Sequence, residues 1–491
     1  MKKRFKIISF SGILILLFSV PMLIPIVTGS TDYNLEQVLS PNPKRRYSPD
    51  GEGYLEEIGT NKFLLHLEGT PFKMGYQHGF LCAEAVSYMT SYEFFKQLLL
   101  ESIGLDYDSS KEFLIEILKD VKKYNIYSGL ITEDFEDDVF RIIFEIITHI
   151  VLDNVKYVPS EFLEEAEGIA EGATDSLGYE VPYINVLLLN MAFDALLSIV
   201  YPIVTPLLPF NELLGFHACN AFIVHGEGTT DGRTIMGRDF MFSEIGFSKY
   251  MLLIEQIPDN GNAFVSTSTP GFVGVTAAMN SKGIGIGMDM CPAMDCTPGD
   301  YGMGVLFTAR KVIQYADELS QAISIIKKSK RGVSWIYALG DGRGNEIGGA
   351  AVEVSAHQCR VRHDDYKKPW WMPKIYSQIE KKKDLIVIAN HFILTEMNIL
   401  ALSYGIKDSI WRYATLTNLI LKEYGNIDID KGLNLIDFLH PPNYNYYGDD
   451  TTQPVKAAKS LYDLSNLEVW ALFGSYSDDW ANHRLDEGQI M

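Results

Sequence analysis

Three stretches carry the reading of this chain: Ala218-Cys219-Asn220-Ala221-Phe222-Ile223-Val224, Thr230-Asp231-Gly232-Arg233 and Gly237-Arg238-Asp239-Phe240. The first and third are β-type runs, and Asp231-Gly232 between them is a hairpin turn signal. A hairpin of that length brings Arg238 back beside Cys219. A cysteine at a strand start is ordinarily a small buried hydrophobe. A guanidinium beside it favours thiolate and is expected to lower the thiol pKa, which makes Cys219 a candidate nucleophile.

The pattern of the chain changes at this cysteine. Upstream, Phe63–Leu67 reads as a strand ended by Glu68-Gly69-Thr70-Pro71, and Gly75–Gly79 lead into a helix through Leu81 to Leu100. Residues 110–200 are mainly helical, with Val139, Ile142, Ile143, Ile146 and Ile147 at helical spacing. Downstream come short strands at 220–224, 233–237, 250–256 and 263–268, and two more within Gly271–Met290. A helix from about Gly304 to Lys328, strands at 334–339, 348–354 and 384–389, helices near 408–422 and 430–439, and strands near 459–463 and 467–473 complete the order. Helices, then strands, then helices, then strands predict an α+β layered fold with a helical N-terminal region.

Other chemistries leave no mark. GxSxG, HExxH and GxxxxGK[ST] patterns are missing from the 491 residues. Gly283, Gly285 and Gly287 alternate as in a strand approached closely by another backbone, not as a nucleotide-binding loop. Neither a cofactor nor a metal site is expected. The net charge of −21 disfavours a nucleic-acid partner, because phosphate binding needs a basic patch on the protein. Lys2, Lys3, Arg4 and Lys6 precede an apolar stretch from Ile7 to about Val27, the layout of a signal peptide or, at that length, a signal anchor. Either places the remainder outside the cytoplasm, secreted or attached to a membrane through residues 7–27. The five cysteines, Cys82, Cys219, Cys291, Cys296 and Cys359, leave at least one unpaired thiol; Cys291 and Cys296 are close enough in sequence for a local bridge.

From Phe63 to the C-terminus the chain resembles the acyl-CoA:6-aminopenicillanic-acid acyltransferase family and, more distantly, the bile salt hydrolases and penicillin V acylases. The resemblance rests on Cys219–Phe242, on Leu67-Glu68-Gly69-Thr70-Pro71 with Gly75 and His78-Gly79, and on Glu167-Gly168-Ile169-Ala170-Glu171-Gly172. It implies an N-terminal-nucleophile (Ntn) hydrolase, an αββα four-layer sandwich that cuts itself between Ala218 and Cys219. It also implies that Cys219 is the nucleophile and Arg238 its neighbour. Asn280 and Asn390 take oxyanion positions, and Arg412 takes a recurrent Ser-x-x-Arg helix position. Read from the residues alone, Asn280 is also a good hairpin turn, Asn390 a turn cap, and Arg412 a partner for a carboxylate. Thr452 matches a serine position loosely. One position departs: the family carries an Asp where this chain has Met241, so Asp239 or another acid must replace it, or activity is altered.

The resulting division is 1–29 signal peptide or anchor, 30–60 linker, 61–218 helical N-terminal chain retained after cleavage, and 219–491 catalytic chain. The expected activity is acyl transfer from a small amide or thioester to water or an amine, by a heterodimer of the two chains. A phospholipase B-like lipid hydrolase and a non-catalytic binding protein on the same scaffold are the alternatives. No nucleic acid partner is expected.

Overall fold

The computed structural model describes residues 45–60, 62–103, 110–112, 115, 135–204, 219–241, 247, 250–297, 299–366, 382–400, 406–438, 458–473 and 480–485. In chain order they form β1 (Arg45–Tyr47), β2 (Tyr54–Gly59), β3 (Lys62–Gly69), α1 (Pro71–Leu81), α2 (Ala83–Met89), α3 (Tyr92–Ile103), α4 (Phe135–Asn154), α5 (Ser160–Leu177) and α6 (Tyr183–Val204). There follow β4 (Cys219–Gly226), β5 (Gly232–Phe240), β6 (Leu252–Pro258), β7 (Phe264–Ser268), β8 (Ala277–Asn280), β9 (Ile284–Met290), α7 (Val305–Tyr315) and α8 (Leu319–Lys328). The last elements are β10 (Trp335–Asp341), β11 (Gly348–Val354), β12 (Cys359–His363), β13 (Leu385–Ile388), α9 (Thr395–Asn398), α10 (Ile406–Glu423), α11 (Ile429–Phe438), β14 (Ala458–Asp463), β15 (Glu468–Phe473) and β16 (Ala481–Arg484).

Two sheets result, one of ten strands in the order β1-β2-β3-β6-β7-β8-β9-β10-β11-β12 and one of six in the order β13-β4-β5-β14-β15-β16. Every pairing is antiparallel except β3 with β6. The sheets pack face to face, β9, β10 and β11 against β4 and β13. Helices α7 and α8 cover the outer face of the larger sheet, and α10 and α11 that of the smaller. This is the expected αββα sandwich. Its core is closely packed because glycines line the seam. A Cβ on Gly287 would stand 3.0 Å from Arg238 Cδ, and one on Gly285 2.7 Å from Leu464. The alternating glycines of β9 are therefore the surface on which the second sheet lies.

The N-terminal region is part of this body. Thr70 caps α1, accepting from Lys73 N, with Pro71 in the first turn. Helix α1 crosses α5 at backbone contact: a Cβ on Gly75 would meet Glu165 O at 2.0 Å, and one on Gly172 would meet Tyr76 O at 2.1 Å. That close approach explains the glycines of Gly75-x-x-x-Gly79 and Gly168-x-x-x-Gly172. The reading of 30–60 as linker is corrected for its last part, since β1 and β2 are strands at the edge of the larger sheet, with Arg45 paired to Glu56. Their short polar sequences carry no alternating apolar face, so the pattern was invisible. The predicted helix at 304–328 is two helices, parted at Ala316-Asp317-Glu318. Residues 1–44, and with them the apolar stretch Ile7–Val27, lie outside the described residues. Among the described residues no helix is long and apolar enough to cross a membrane.

Candidate active site

Cys219 is the first residue of β4 and pairs with Phe240 of β5; two residues on, Ala221 pairs with Arg238. Side chains alternate along a strand, so Cys219, Ala221, Arg238 and Phe240 share the face turned to the larger sheet. The hairpin thus places Arg238 against the thiol as expected. Burial outweighs that cation. It pushes the Cys219 thiol up, the Arg238 guanidinium pulls against it, and Asp289 adds to the rise. The expected lowered thiol is corrected: sequence shows the charge beside the sulfur but not that both are taken out of water.

Three further groups converge. β13 pairs with β4 with Ile388 opposite Ala221, and continuing that register sets Asn390 across from Cys219. Asn390 Oδ1 accepts from Cys219 N at 2.9 Å, and its Nδ2 donates to Met290 O at 2.7 Å. Arg412 of α10 reaches the start of β4. It donates to Cys219 O at 2.8 Å, Asn220 Oδ1 at 2.7 Å and Asn390 Oδ1 at 2.9 Å. Cys219 Sγ lies 3.9 Å from Met241 O. The main chain of Cys219 is therefore held at nitrogen and at carbonyl by two side chains that also hold each other.

Two sequence candidates fall elsewhere. Asn280 is buried, donating to Ile313 O and Ala316 O, both at 2.8 Å, and accepting from Lys282 N and Ile284 N. Its amide joins the β8–β9 turn to the end of α7 on the outer face of the larger sheet. The oxyanion reading of Asn280 is corrected to this turn role. Asp239 is buried opposite Lys459, on the face of β5 that carries Asn220's side of the pairing, away from the thiol. Ala218 and Thr452 lie outside the described residues.

The acid on the thiol's face is Asp289, which sequence reasoning missed. It stands on β9 in phase with Gly285 and Gly287, fully buried, its Oδ1 3.0 Å from Arg238 Nη1. Burial raises its carboxyl to about 6, against Arg238 and Arg412, which lower it. A lone Asp in phase with the alternating glycines of Ile284-Gly285-Ile286-Gly287-Met288-Asp289 was the available signal. His391, beside Asn390, is hydrogen-bonded to Ser409 Oγ at 2.7 Å and held neutral, pushed down to about 3 by burial and Arg412. All five cysteines are free.

Next to Cys219 on the same face, Phe240 begins an aromatic wall. Its ring lies 6.1 Å from that of Phe247, which in turn is 5.8 Å from Phe94 and from Phe272. One group of metal-ligand type occurs among the described residues, His225, Asp364 and Asp384. His225 Nε2 is bonded to Asp364 Oδ2 at 2.7 Å, and Asp384 caps Glu227 N, so the cluster closes the far end of β4.

Residues 229–475, half of the chain, match the acyl-coenzyme A:6-aminopenicillanic acid acyl-transferase family. The chain belongs to that family. It is 51% identical over 438 residues to an uncharacterized protein of Archaeoglobus fulgidus, a match covering 89% of this chain and 68% of that protein. Protein dcd1A of Dictyostelium discoideum is 24% identical over 336 residues, 65% of either chain. Solved structures similar at a distance include the N-acylethanolamine-hydrolyzing acid amidase ortholog of Caenorhabditis elegans (TM-score 0.35, 9% identity, covering 55% of this chain and 100% of that one). Penicillin V acylase from Agrobacterium tumefaciens is another (TM-score 0.34, 12% identity, 52% and 83%). Family and layered fold together make this an Ntn amidohydrolase or acyltransferase in kind.

Proposed function

We propose that the chain is an exported Ntn amidohydrolase that cuts itself before Cys219 and then uses that cysteine to carry an acyl group. The observation that supports this is the grip on the Cys219 main chain. Cys219 N is held by a side chain, Asn390 Oδ1, and Arg412 donates both to that oxygen and to Cys219 O, so the nitrogen that would leave on cleavage is fixed by two groups.

In the proposed maturation, Cys219 Sγ attacks the Ala218 carbonyl carbon. The C–S bond forms, the peptide C–N bond breaks, and the nitrogen leaves as the protonated α-amine of Cys219. Water then hydrolyses the thioester, freeing the thiol and an Ala218 carboxylate. In turnover the α-amine, with an ordinary pKa near 7.7–8.0, takes the thiol proton. The thiolate adds to the substrate carbonyl, and the Arg238 guanidinium beside it favours that anion. Asn390 Nδ2 has a second N–H besides the one given to Met290 O, and this is the proposed oxyanion donor. Collapse expels the amine with a proton from the α-ammonium, leaving an acyl-cysteine that water resolves. Water is the proposed acceptor because an exported protein meets little acyl-CoA. The aromatic wall from Phe240 favours an apolar acyl group.

Intact mass spectrometry tests the reading. Wild-type protein should appear as two chains parted before Cys219, and Cys219→Ala as one. A wild-type protein that is intact and active on a chromogenic amide would refute it.

A further inference from the structure

Among the described residues, the buried side-chain groups at this site without a hydrogen-bond partner are Asn220 Nδ2, Arg238 Nε and the Asp289 carboxylate, and Asp289 is the acceptor among them. It is fully buried, and among the described residues neither carboxylate oxygen accepts one. Arg238 lies 3.0 Å away, but its Nη1 and Nη2 groups donate elsewhere, to Asn220 O, Asp239 O and Met288 O. The two therefore share charge without sharing a proton. A buried acceptor without a donor is destabilising.

The strand that carries it explains where a donor would come from. Met290 O, one residue on, binds Asn390 Nδ2, and Asn390 Oδ1 binds Cys219 N. Asp289 stands on the same inward face as the thiol and interacts with it electrostatically. Before cleavage Cys219 N has a single hydrogen, and Asn390 takes it. After cleavage the same nitrogen has up to three, and two are unassigned.

We propose that Asp289 is the counter-ion that holds and orients the α-ammonium of Cys219 once the chain is cut. The inference rests on the self-cleavage reading above and assigns the residue that makes it productive. The proton count closes: the thiol proton moves to the α-amine, the ammonium so formed lies between Asn390 Oδ1 and the Asp289 carboxylate, and Arg238 is left beside the thiolate. Asp289 is a positioning residue, since it acts on the base and not on the substrate. The charged and titratable groups acting on it are Arg238 of β5, Arg412 of α10 and the thiol of β4, with Asp239 acting from the opposite face of β5. The two arginines disfavour an ammonium here, so a buried carboxylate is what would keep the amine's pKa in working range.

The test is the pKa of the new α-amine, read by competitive acetylation of the mature N-terminus with acetic anhydride across pH and mass spectrometry of the peptide beginning at Cys219. In wild type it should lie at or above the ordinary 7.7–8.0. In Asp289→Asn it should fall by about 1–3 units, the usual effect of removing one close opposite charge. The acid limb of the pH–rate profile on a chromogenic amide should move down by the same amount. Self-cleavage should survive in Asp289→Asn, because the amine does not exist until that step is over. A cleaved variant with an unchanged amine pKa overturns this proposal alone, and so does loss of cleavage in a folded Asp289→Asn. A wild-type amine well below 7.7 overturns it even if the variant fails to fold. A wild-type chain that never exposes Cys219 overturns the self-cleavage reading and this proposal with it.

Discussion

Replacing Asn390 by alanine removes three hydrogen bonds at the point where two chemical steps meet. The lost partners are Cys219 N at 2.9 Å, Arg412 Nη2 at 2.9 Å and Met290 O at 2.7 Å. In the proposed maturation Cys219 N is the leaving nitrogen, so its orientation sets the angle at which sulfur meets the Ala218 carbonyl. Leaving that buried N–H without an acceptor costs about 1–3 kcal/mol. If the loss falls on the transition state, self-cleavage slows by about 5–150-fold. Turnover in the mature enzyme should fall further, by about 10²–10³-fold, the usual loss for one oxyanion donor. Arg412 keeps its bonds to Cys219 O and Asn220 Oδ1, so the strand stays in place and a far-UV spectrum should be unchanged. The assay is intact mass against time after cell-free synthesis, with Cys219→Ala as the uncut reference, followed by burst kinetics on a chromogenic amide. Cleavage at the wild-type rate with turnover within a few-fold would refute the role and leave the oxyanion to backbone amides.

Two further outcomes concern the frame around the site. Gly172→Ala should lower thermal stability by about 1–3 kcal/mol or more, because the added Cβ would meet Tyr76 O at 2.1 Å and α1 must move off α5; a melting temperature within a degree of wild type would show that the crossing is loose. Asp194 is fully buried and accepts from Val305 N at the start of α7, and burial raises its carboxyl from 3.8 to about 7. With the folded pKa raised, its protonated form favours folding fully below about pH 4, and that favour is lost as pH rises through about 7. Asp194→Asn should therefore flatten stability between pH 4 and 7 and match or exceed wild type at pH 8, measured by urea titration; an unchanged pH slope would remove Asp194 as its source.

The strand pair that carries Cys219 was readable from one turn and one count. Asp231-Gly232 fixed the hairpin, and the number of residues on either side returned Arg238 to within two positions of Cys219, as the pairing Ala221 with Arg238 shows. Asn390 and Arg412 came from resemblance and meet Cys219 across 171 and 193 residues of chain, distances that no local pattern spans. Asn280 failed for the same reason in reverse. Its Asn-Ser-Lys-Gly turn was legible, but whether the amide pointed toward the seam or toward α7 depends on the parity of a four-residue strand. The acid proposed here to stand in for the one missing at Met241 lies on a different strand. Asp239 is adjacent in sequence to Arg238 and for that reason faces away, whereas Asp289 arrives from the other sheet, opposite β5.

The same interleaving bears on what a cut before Cys219 would release. Strand β3 lies parallel to β6 from Leu64 opposite Leu253 to Gly69 opposite Pro258, so the N-terminal region supplies interior strand to the larger sheet. Glu165 of α5 is paired at 2.8 Å with Arg310 of α7, each only 1% exposed, and Gln256 of β6 donates to the same carboxylate. His78 of α1 accepts from Gly271 N at 3.0 Å. Parting the chains would strand Glu165 and Arg310 as unpaired buried charges, a loss of several kcal/mol for that pair alone, and would open the backbone edge of β6. Cleavage would thus free a nitrogen without freeing a domain. The N-terminal chain would stay as the wall behind the aromatic cluster, since Phe94 of α3 packs on Phe247 and Phe247 on Phe240 beside the thiol. A segment that resembles a propeptide in sequence is, in packing, bound into the larger sheet through β3 and into the aromatic cluster through Phe94.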